Sequence, residues 1–256
     1  MLDIICCFKW VVDEAYVKAG ASGKLDLEWA NYKLSDYDRN AIEAAVQIGE
    51  QHGGRVAAIT VGTPDAGKGI KDALSRGPEQ AYFINDPAFA NLEPSQTAAI
   101  LADVIKARMP FDIIVCGEGS SDLYAQQVGP RLAENLNVPC ITYVQKADVQ
   151  GDRIVAERKT AFGLEVLQAP LPVLITVAPD INTPRIPGLK DTLGASKKPV
   201  VNISKDDLPG DYPARLITKQ MSLAKMDRNC VKFGADAAAV KAFSEALMKA
   251  GLLNRG

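Results

Sequence analysis

The chain has 256 residues, 47% hydrophobic and 23% charged, with 29 basic against 31 acidic side chains and a formal net charge of -2. That length holds one large domain, or one domain with an appendage, and the even charge balance gives no electrostatic reason to expect nucleic acid or an anionic membrane as main partner. No apolar run approaches the roughly 20 residues of a membrane helix, and "MLDIICCFKWVVDE" opens on a strand-like run without the features of a signal peptide, so a cytoplasmic protein is expected.

Apolar periodicity predicts alternating short strands and longer helices. "LDIICCF" reads as a buried strand, and "SDYDRNAIEAAVQIGEQHGG" as a helix with an acidic or hydroxyl start and a Gly-Gly stop. "RVAAITVG" is the next strand, "PDAGKGIKDALSRG" a helix ended by Gly77, and "AYFIND" a short strand. "EPSQTAAILADVIKAR" has helical spacing, "FDIIVCG" is a strand, "DLYAQQVGPRLAENLN" a helix, and "PCITYV" a strand again. Such alternation argues a parallel sheet covered on both faces, because parallel strands need crossover helices. After Val144 the pattern changes: "YVQKADVQGDRIVAERKT" is a hairpin about a Gly-Asp turn, and "EVLQAPLPVLITVA" has further strand character. From Asp180 the proline-studded "DINTPRIPGLKDTLGASKKPV" suits neither a helix nor a central strand and reads as an extended arm. "GADAAAVKAFSEALMKAGLL" reads as a terminal helix. The expected architecture is therefore α/β: a three-layer parallel sheet with helices on both faces, an added β-hairpin, and an extended C-terminal arm and helix. The α/β domain would span residues 1–180, and residues 181–256 would either need a partner surface or fold back over that domain.

Five cysteines, at positions 6, 7, 116, 140 and 230, form no CxxC pair and no metal-ligand spacing. They read as small core residues, and no metal site is expected. The single histidine, His52, lies in the polar turn "EQHGGR", so a Ser-His-Asp hydrolase is poorly supported.

The informative stretch is "CGEGSSDLYAQQVGPRLAENL", Cys116 to Leu136, at a strand end. Gly117 and Gly119 permit close backbone approach, and Ser120, Ser121 and Asp122 can cap the following helix. A phosphate could take the same free amides, so the turn alone is either a capped turn or an anion site. It is not a P-loop, and no GxGxxG follows the first strand. The carboxylates of "SDYD" read more readily as helix N-terminal charge than as acid-base groups.

Taken together, "CFKWVVDE", "KLSDYDRNAIEAA", "ITVGTP", "ALSRGPEQAYFIND", "FDIIVCGEGSSDLYAQQVGP" and "INTPRIPGLKDTLGASKKPV" resemble the β subunit of the electron transfer flavoproteins, with several loops in register over residues 4 to about 200. "GEGSSDLYAQQVG" and "LSRGPE" are most similar to the Fix-type branch, which serves anaerobic or nitrogen-fixing electron transfer. Against the widespread "QAIDGDTAQVGP"-like loop, Asp122, Gln127, Val128, Gly129 and Pro130 agree, while Gly119, Ser120, Ser121, Leu123 and Tyr124 depart.

The resemblance implies an adenine-nucleotide α-hydrolase-like fold and a heterodimer whose α subunit carries an FAD. The β subunit would bind AMP, or a second FAD that accepts hydride from NADH in bifurcating members. Carried over, the adenosine would contact Cys7, Ser35, Asp36, Tyr37, Asp38 and Val61. The phosphates would lie on the loop of Gly117, Glu118, Gly119, Ser120, Ser121, Asp122, Leu123, Tyr124, Ala125, Gln126, Gln127 and Val128. "SDYD" in place of an "NP" pair, and Thr97 at the position of a threonine near the flavin, favour FAD over AMP. The arm would dock an acyl-CoA dehydrogenase through Leu189, with Ile186 and Leu193 beside it; alternatively these residues pack on the α subunit. The expected function is an electron carrier subunit that passes electrons between NADH or acyl-CoA dehydrogenase partners and ferredoxin, flavodoxin or quinone acceptors by flavin-based bifurcation. It would oxidise NADH itself only in that bifurcating case. The alternative is a stand-alone adenine-nucleotide binding or hydrolysing domain. That class needs a GxxGS or SGGxDS signature, which "GEGSSD" only loosely imitates, and no basic residue stands out to neutralise a triphosphate.

Overall fold

The run "IICC" has no polar side chain to turn toward water, and β1 (Asp3–Cys7) lies inside the sheet with those four residues buried. A computed structural model describes residues 1–20, 25–27, 29–221 and 230–253. After β1 come β2 (Trp10–Val12), β3 (Lys18–Ala19), β4 (Leu25–Asp26) and β5 (Tyr32–Leu34). These short strands pair antiparallel as β2 with β5 and β3 with β4, a flap that the periodicity of residues 10–34 did not suggest. Then follow α1 (Asp36–His52), β6 (Arg55–Gly62), α2 (Lys68–Ser75), β7 (Gln80–Asn85), α3 (Pro94–Arg108), β8 (Ile113–Gly117) and α4 (Val128–Leu136). The chain continues through β9 (Cys140–Gln150), β10 (Arg153–Thr160), β11 (Gly163–Pro170), β12 (Val173–Val177), α5 (Leu189–Ala195), β13 (Val200–Ile203) and α6 (Ala237–Lys249).

Nine strands form one sheet in the order β11-β10-β9-β12-β8-β1-β6-β7-β13. Every neighbouring pair from β9 to β13 is parallel, and only β10 runs against the rest, antiparallel to β9 on one side and to β11 on the other. Ile4 and Cys6 of β1 face the layer that includes Ala41, Ile42 and Ala45 of α1 and Ile70 and Leu74 of α2. Ile5 and Cys7 face the opposite layer, with Ile100, Leu101 and Ile105 of α3 and Leu132 of α4. The expected three-layer fold is present. Met1–Met221 form one compact unit and Ser222–Gly256 a second, in which Asp236 caps α6 through the amide of Ala239 at 2.7 Å.

Three local expectations change. The helix expected from Asp122 begins only at Val128, because Tyr124 (φ 46) and Gln126 (φ 56) take left-handed backbone conformations that a helix cannot include. The strand character expected over 165–178 is present as two strands, β11 and β12. The segment read as wholly extended holds the short helix α5 and adds β13 to the sheet beside β7.

The arm is fastened by polar groups. The Arg185 guanidinium donates to Glu43 at 2.7 and 3.1 Å and to Glu50 at 3.0 and 3.2 Å, all on α1. Although burial opposes it, the Arg185 charge and hydrogen bonds hold the Glu43 carboxyl below its usual range. Asn40 donates to the carbonyls of Pro179 at 3.1 Å and Asn182 at 2.9 Å. Lys198 donates to the carbonyls of Leu74 at 2.8 Å, in the last turn of α2, and of Pro78 at 2.7 Å, just past its end.

Close packing of α4 on β12 depends on Gly129, where an added Cβ would lie 2.4 Å from Thr176 Cγ2. Gly129→Ala should cost about 1–3 kcal/mol as an overpacked contact. Thr176→Ser on that background removes the methyl and keeps the hydroxyl, so it should recover most of the loss; urea unfolding of both variants checks this.

Candidate functional site

From β1 the chain moves to β6 and then β7 on one side, while β8 lies on the other side of β1. In open parallel sheets such a reversal of strand order leaves a crevice beyond the carboxyl ends of the two central strands, where the outgoing connections diverge. Here the crevice lies between the ends of β1 and β8. The loop after β8 crosses the sheet top, starting against the first turn of α1 and ending in α4 on the opposite layer.

The first turn of α1 is tied to both strand ends. Ser35 donates its backbone amide to the Lys9 carbonyl at 3.1 Å, and the Asp38 carboxylate accepts the Lys9 amide at 2.8 Å. Asp38 also accepts from the Gly117 backbone and the Ser35 hydroxyl, and burial nonetheless pushes its pKa up to about 7. An added Cβ on Gly117 would lie 2.5 Å from Asp38 Oδ1, so only glycine lets β8 approach this closely. The buried Ser35 makes no cap of its own helix. Its Oγ accepts the Ser121 amide at 3.3 Å, and Ser121 Oγ accepts the Asp36 amide at 3.3 Å. These reciprocal bonds staple loop to helix.

Beyond Ser121 the loop leans on Lys9, whose Nζ is 2.6 Å from Asp122 Oδ2. Partial burial works to raise the Asp122 pKa, but the Lys9 charge and hydrogen bond hold it below the usual range. At the root of the loop the buried Glu118 carboxylate accepts from the Thr176 hydroxyl, from the Tyr143 amide at 2.8 Å and from Gln126 at 3.3 Å. The Glu118 amide donates to the Val177 carbonyl at 2.9 Å, so both of its polar groups are engaged within the protein. The Tyr124 ring lies against bare Gly119 backbone and 5.2 Å from the Tyr37 ring, centroid to centroid. Leu123, Ala125 and Gln127 are exposed, and Gln127 accepts from Arg131 at 3.0 Å. Ser120 and Asp122 do not cap α4, whose N-cap is Gln127.

Ser35, Asp36, Tyr37 and Asp38 thus meet Gly117, Ser121 and Tyr124 directly. Cys7 and Val61 sit at the strand ends but face the α3 and α4 layer, and Thr97 stands in the first turns of α3 in that layer. The Cys7 thiol adjoins Cys116, whose pKa is raised first by that hydrogen bond and then by burial. The sequence reading missed Lys9, although it lies two residues past the end of β1 in the quoted "CFKW". Tyr143 and Thr176 were also missed, because only the order β8-β12-β9 brings them beside Glu118. His52, at the C-terminal end of α1, has its Nε2 3.3 Å from Asp148 Oδ1.

These features define an α/β protein whose switch-point crevice is bordered by a glycine-containing loop, a helix N-terminus and a lysine. A family model for the electron transfer flavoprotein domain matches residues 25–208, most of the chain and nearly all of the sheet. The chain belongs to the electron transfer flavoprotein family, whose members generally bind flavin and act with a partner subunit and dehydrogenases. Among the described residues no helix is long and apolar enough to cross a membrane.

Asp38 gives the site a pH signature. Its pKa is raised to about 7 in the folded chain against an ordinary 3.8, so the folded state holds a proton that the unfolded state has released between those values. Its contribution to stability is fully present below the unfolded value of 3.8 and is lost progressively as pH rises through about 7. Asp38→Ala leaves two backbone amides unpaired, at about 1–3 kcal/mol each. Urea titrations from pH 5 to 8 should show the variant less stable throughout, with its deficit shrinking as pH rises.

Proposed function

We propose that this chain is the β subunit of a heterodimeric, Fix-type electron transfer flavoprotein, and that the crevice holds FAD, or AMP in its place. The observation that carries the proposal is the turn Gly117 to Ser121 at the switch point, with the Lys9 ammonium beside it and the first turn of α1 facing it. The donor chemistry fits a nucleotide: Gly119 leaves a strip of backbone that only a flat or small group can approach, and Lys9 supplies a cation. Tyr37 offers aromatic surface for a planar ring. Ser35, Asp36, Tyr37 and Asp38 would bound the adenosine on the α1 side, with Cys7 and Val61 along the strand ends. The loop from Gly117 to Val128 would receive the phosphates. Thr97 would stand on the α3 side of the same edge.

A flavin bound there supplies two-electron acceptance from NADH and one-electron release. The chain's own part is to fix the loop through Ser35, Ser121 and Glu118 and to present a charge at Lys9. In a bifurcating assembly the acceptors are ferredoxin or flavodoxin and an acyl-CoA dehydrogenase-type partner; a simple shuttle delivers to a dehydrogenase or quinone acceptor. The α subunit carries the other FAD. The absence of a triphosphate-gripping signature weighs against a stand-alone nucleotide-hydrolysing domain.

The arm fits a docking role. Ile186, Leu189 and Leu193 are 92, 78 and 60% exposed, while the Arg185 and Lys198 contacts hold its backbone to α1 and α2. Three apolar side chains on a fastened segment form a preordered anchor for a groove on a dehydrogenase.

Denaturing the co-expressed heterodimer and counting released nucleotides tests the site. Two FAD, with bleaching by NADH, support the bifurcating form; one FAD and one AMP support the shuttle. Loss of the β-site nucleotide alone in Asp122→Arg supports the loop assignment, and unchanged occupancy counts against it. For the arm, Leu189→Asp should leave the thermal midpoint within error of wild type and abolish most electron transfer to the partner dehydrogenase.

A further inference from the structure

Gly119 is not in the left-handed backbone region, so its conformation does not explain the missing side chain. Its surroundings do. A Cβ there would lie 2.4 Å from Tyr124 Cδ2 and 2.7 Å from Cε2, which means the tyrosine ring rests directly on the Gly119 backbone. The chain reaches this arrangement by a tight turn, with the Tyr124 amide donating to the Ser120 carbonyl at 3.0 Å and Tyr124 itself at φ 46. A left-handed conformation is unfavourable for a residue with a Cβ, so something must compensate for it. The Tyr37 ring stands 5.2 Å away at 41°, and the two tyrosine hydroxyls are hydrogen-bonded. Burial first, and then that bond, push the Tyr124 pKa up to about 12.

The ring therefore covers the stretch of backbone that a phosphate would approach, and it does so from a partly open position. Tyr124 is 43% exposed and its neighbour Leu123 61%, so the ring can swing outward without disturbing the buried layers. Lys9, the cation of the site, is held meanwhile by Asp122 two residues earlier. The closed loop covers the Gly119 backbone and pairs its own cation.

We propose that Tyr124 is an internal competitor of the nucleotide's phosphate, latched to Tyr37 over Gly119, and that its displacement is required for the phosphate to reach the loop. The proposal rests on the nucleotide-site reading given above. Its consequence is a population effect: apparent affinity is the intrinsic affinity reduced by the fraction of molecules with the latch open. A ring contact plus one hydroxyl bond holds the closed form by roughly tenfold.

The test is a fluorescence titration and stopped-flow measurement on the full chain, with 1,N6-ethenoadenosine monophosphate as probe and ethenoadenosine as its phosphate-free control. Tyr124→Ala should bind the monophosphate about tenfold more tightly and associate faster, with little change for the nucleoside. Tyr37→Phe, which keeps the ring and removes the hydroxyl bond, should fall between wild type and Tyr124→Ala. Weaker binding of the monophosphate to Tyr124→Ala would overturn the proposal and make Tyr124 a stacking surface for the ligand. An equal gain for nucleoside and monophosphate would overturn the competition with phosphate. If wild type binds and both variants match it, the latch alone fails. If wild type, Tyr124→Ala and Tyr37→Phe all bind neither probe, while circular dichroism shows them folded, the nucleotide-site reading fails and the latch falls with it.

Discussion

One buried carboxylate joins the three pieces of backbone that make the crevice. Asp38, in the first turn of α1, accepts the amide of Lys9 just past β1 and the amide of Gly117 at the end of β8. A parallel sheet leaves amides unpaired where its strands stop, and a buried amide without an acceptor is costly. Placing the acceptor on the incoming helix satisfies those amides and fixes the helix at the point where strand order reverses. The cost is a carboxylate in a poorly solvated place, seen in its raised pKa. The Ser35–Ser121 staple and the Lys9–Asp122 pair follow, because each spans groups that Asp38 has already brought together.

The second constraint acts below the loop. Glu118 is buried and holds Thr176 of β12 and the backbone of Tyr143 in β9, so the loop's root is braced against the neighbouring strands. The loop is braced at Glu118 and stapled at Ser121, and its two left-handed residues and the exposed Leu123 and Tyr124 lie between Asp122 and Gln127. The arm follows the same division. Arg185, Asn182 and Lys198 tie its polar side to α1 and α2, and its apolar side chains point outward.

Much of this was legible from residue order. Non-alternating apolar runs such as "IICC" and "IIVC" are informative because a strand buried on both faces has no use for a polar side chain. The terminal helix, too, was readable from spacing. The boundary of α4 was not, since "DLYAQQ" has helical composition and it is contacts with Lys9, Glu118, Gly119 and Tyr37 that hold it as a loop. The sequence pointed to an arm needing a surface or folding back over its own domain. The structure has its polar groups bonded to α1 and α2 while Ile186, Leu189 and Leu193 remain exposed.

By itself the sequence determined the layer architecture, the loop after β8 as the place to look, and the likeness to a flavoprotein family, because periodicity, glycine content and motif order are properties of contiguous residues. Tertiary structure alone decided which groups meet at that loop. Lys9 and Asp122 are 113 positions apart, Ser35 and Ser121 are 86 apart, and Glu118 and Thr176 are 58 apart. Their encounters follow from strand order, and strand order is set by burying two faces of one sheet at once, a condition that no local stretch of the chain contains.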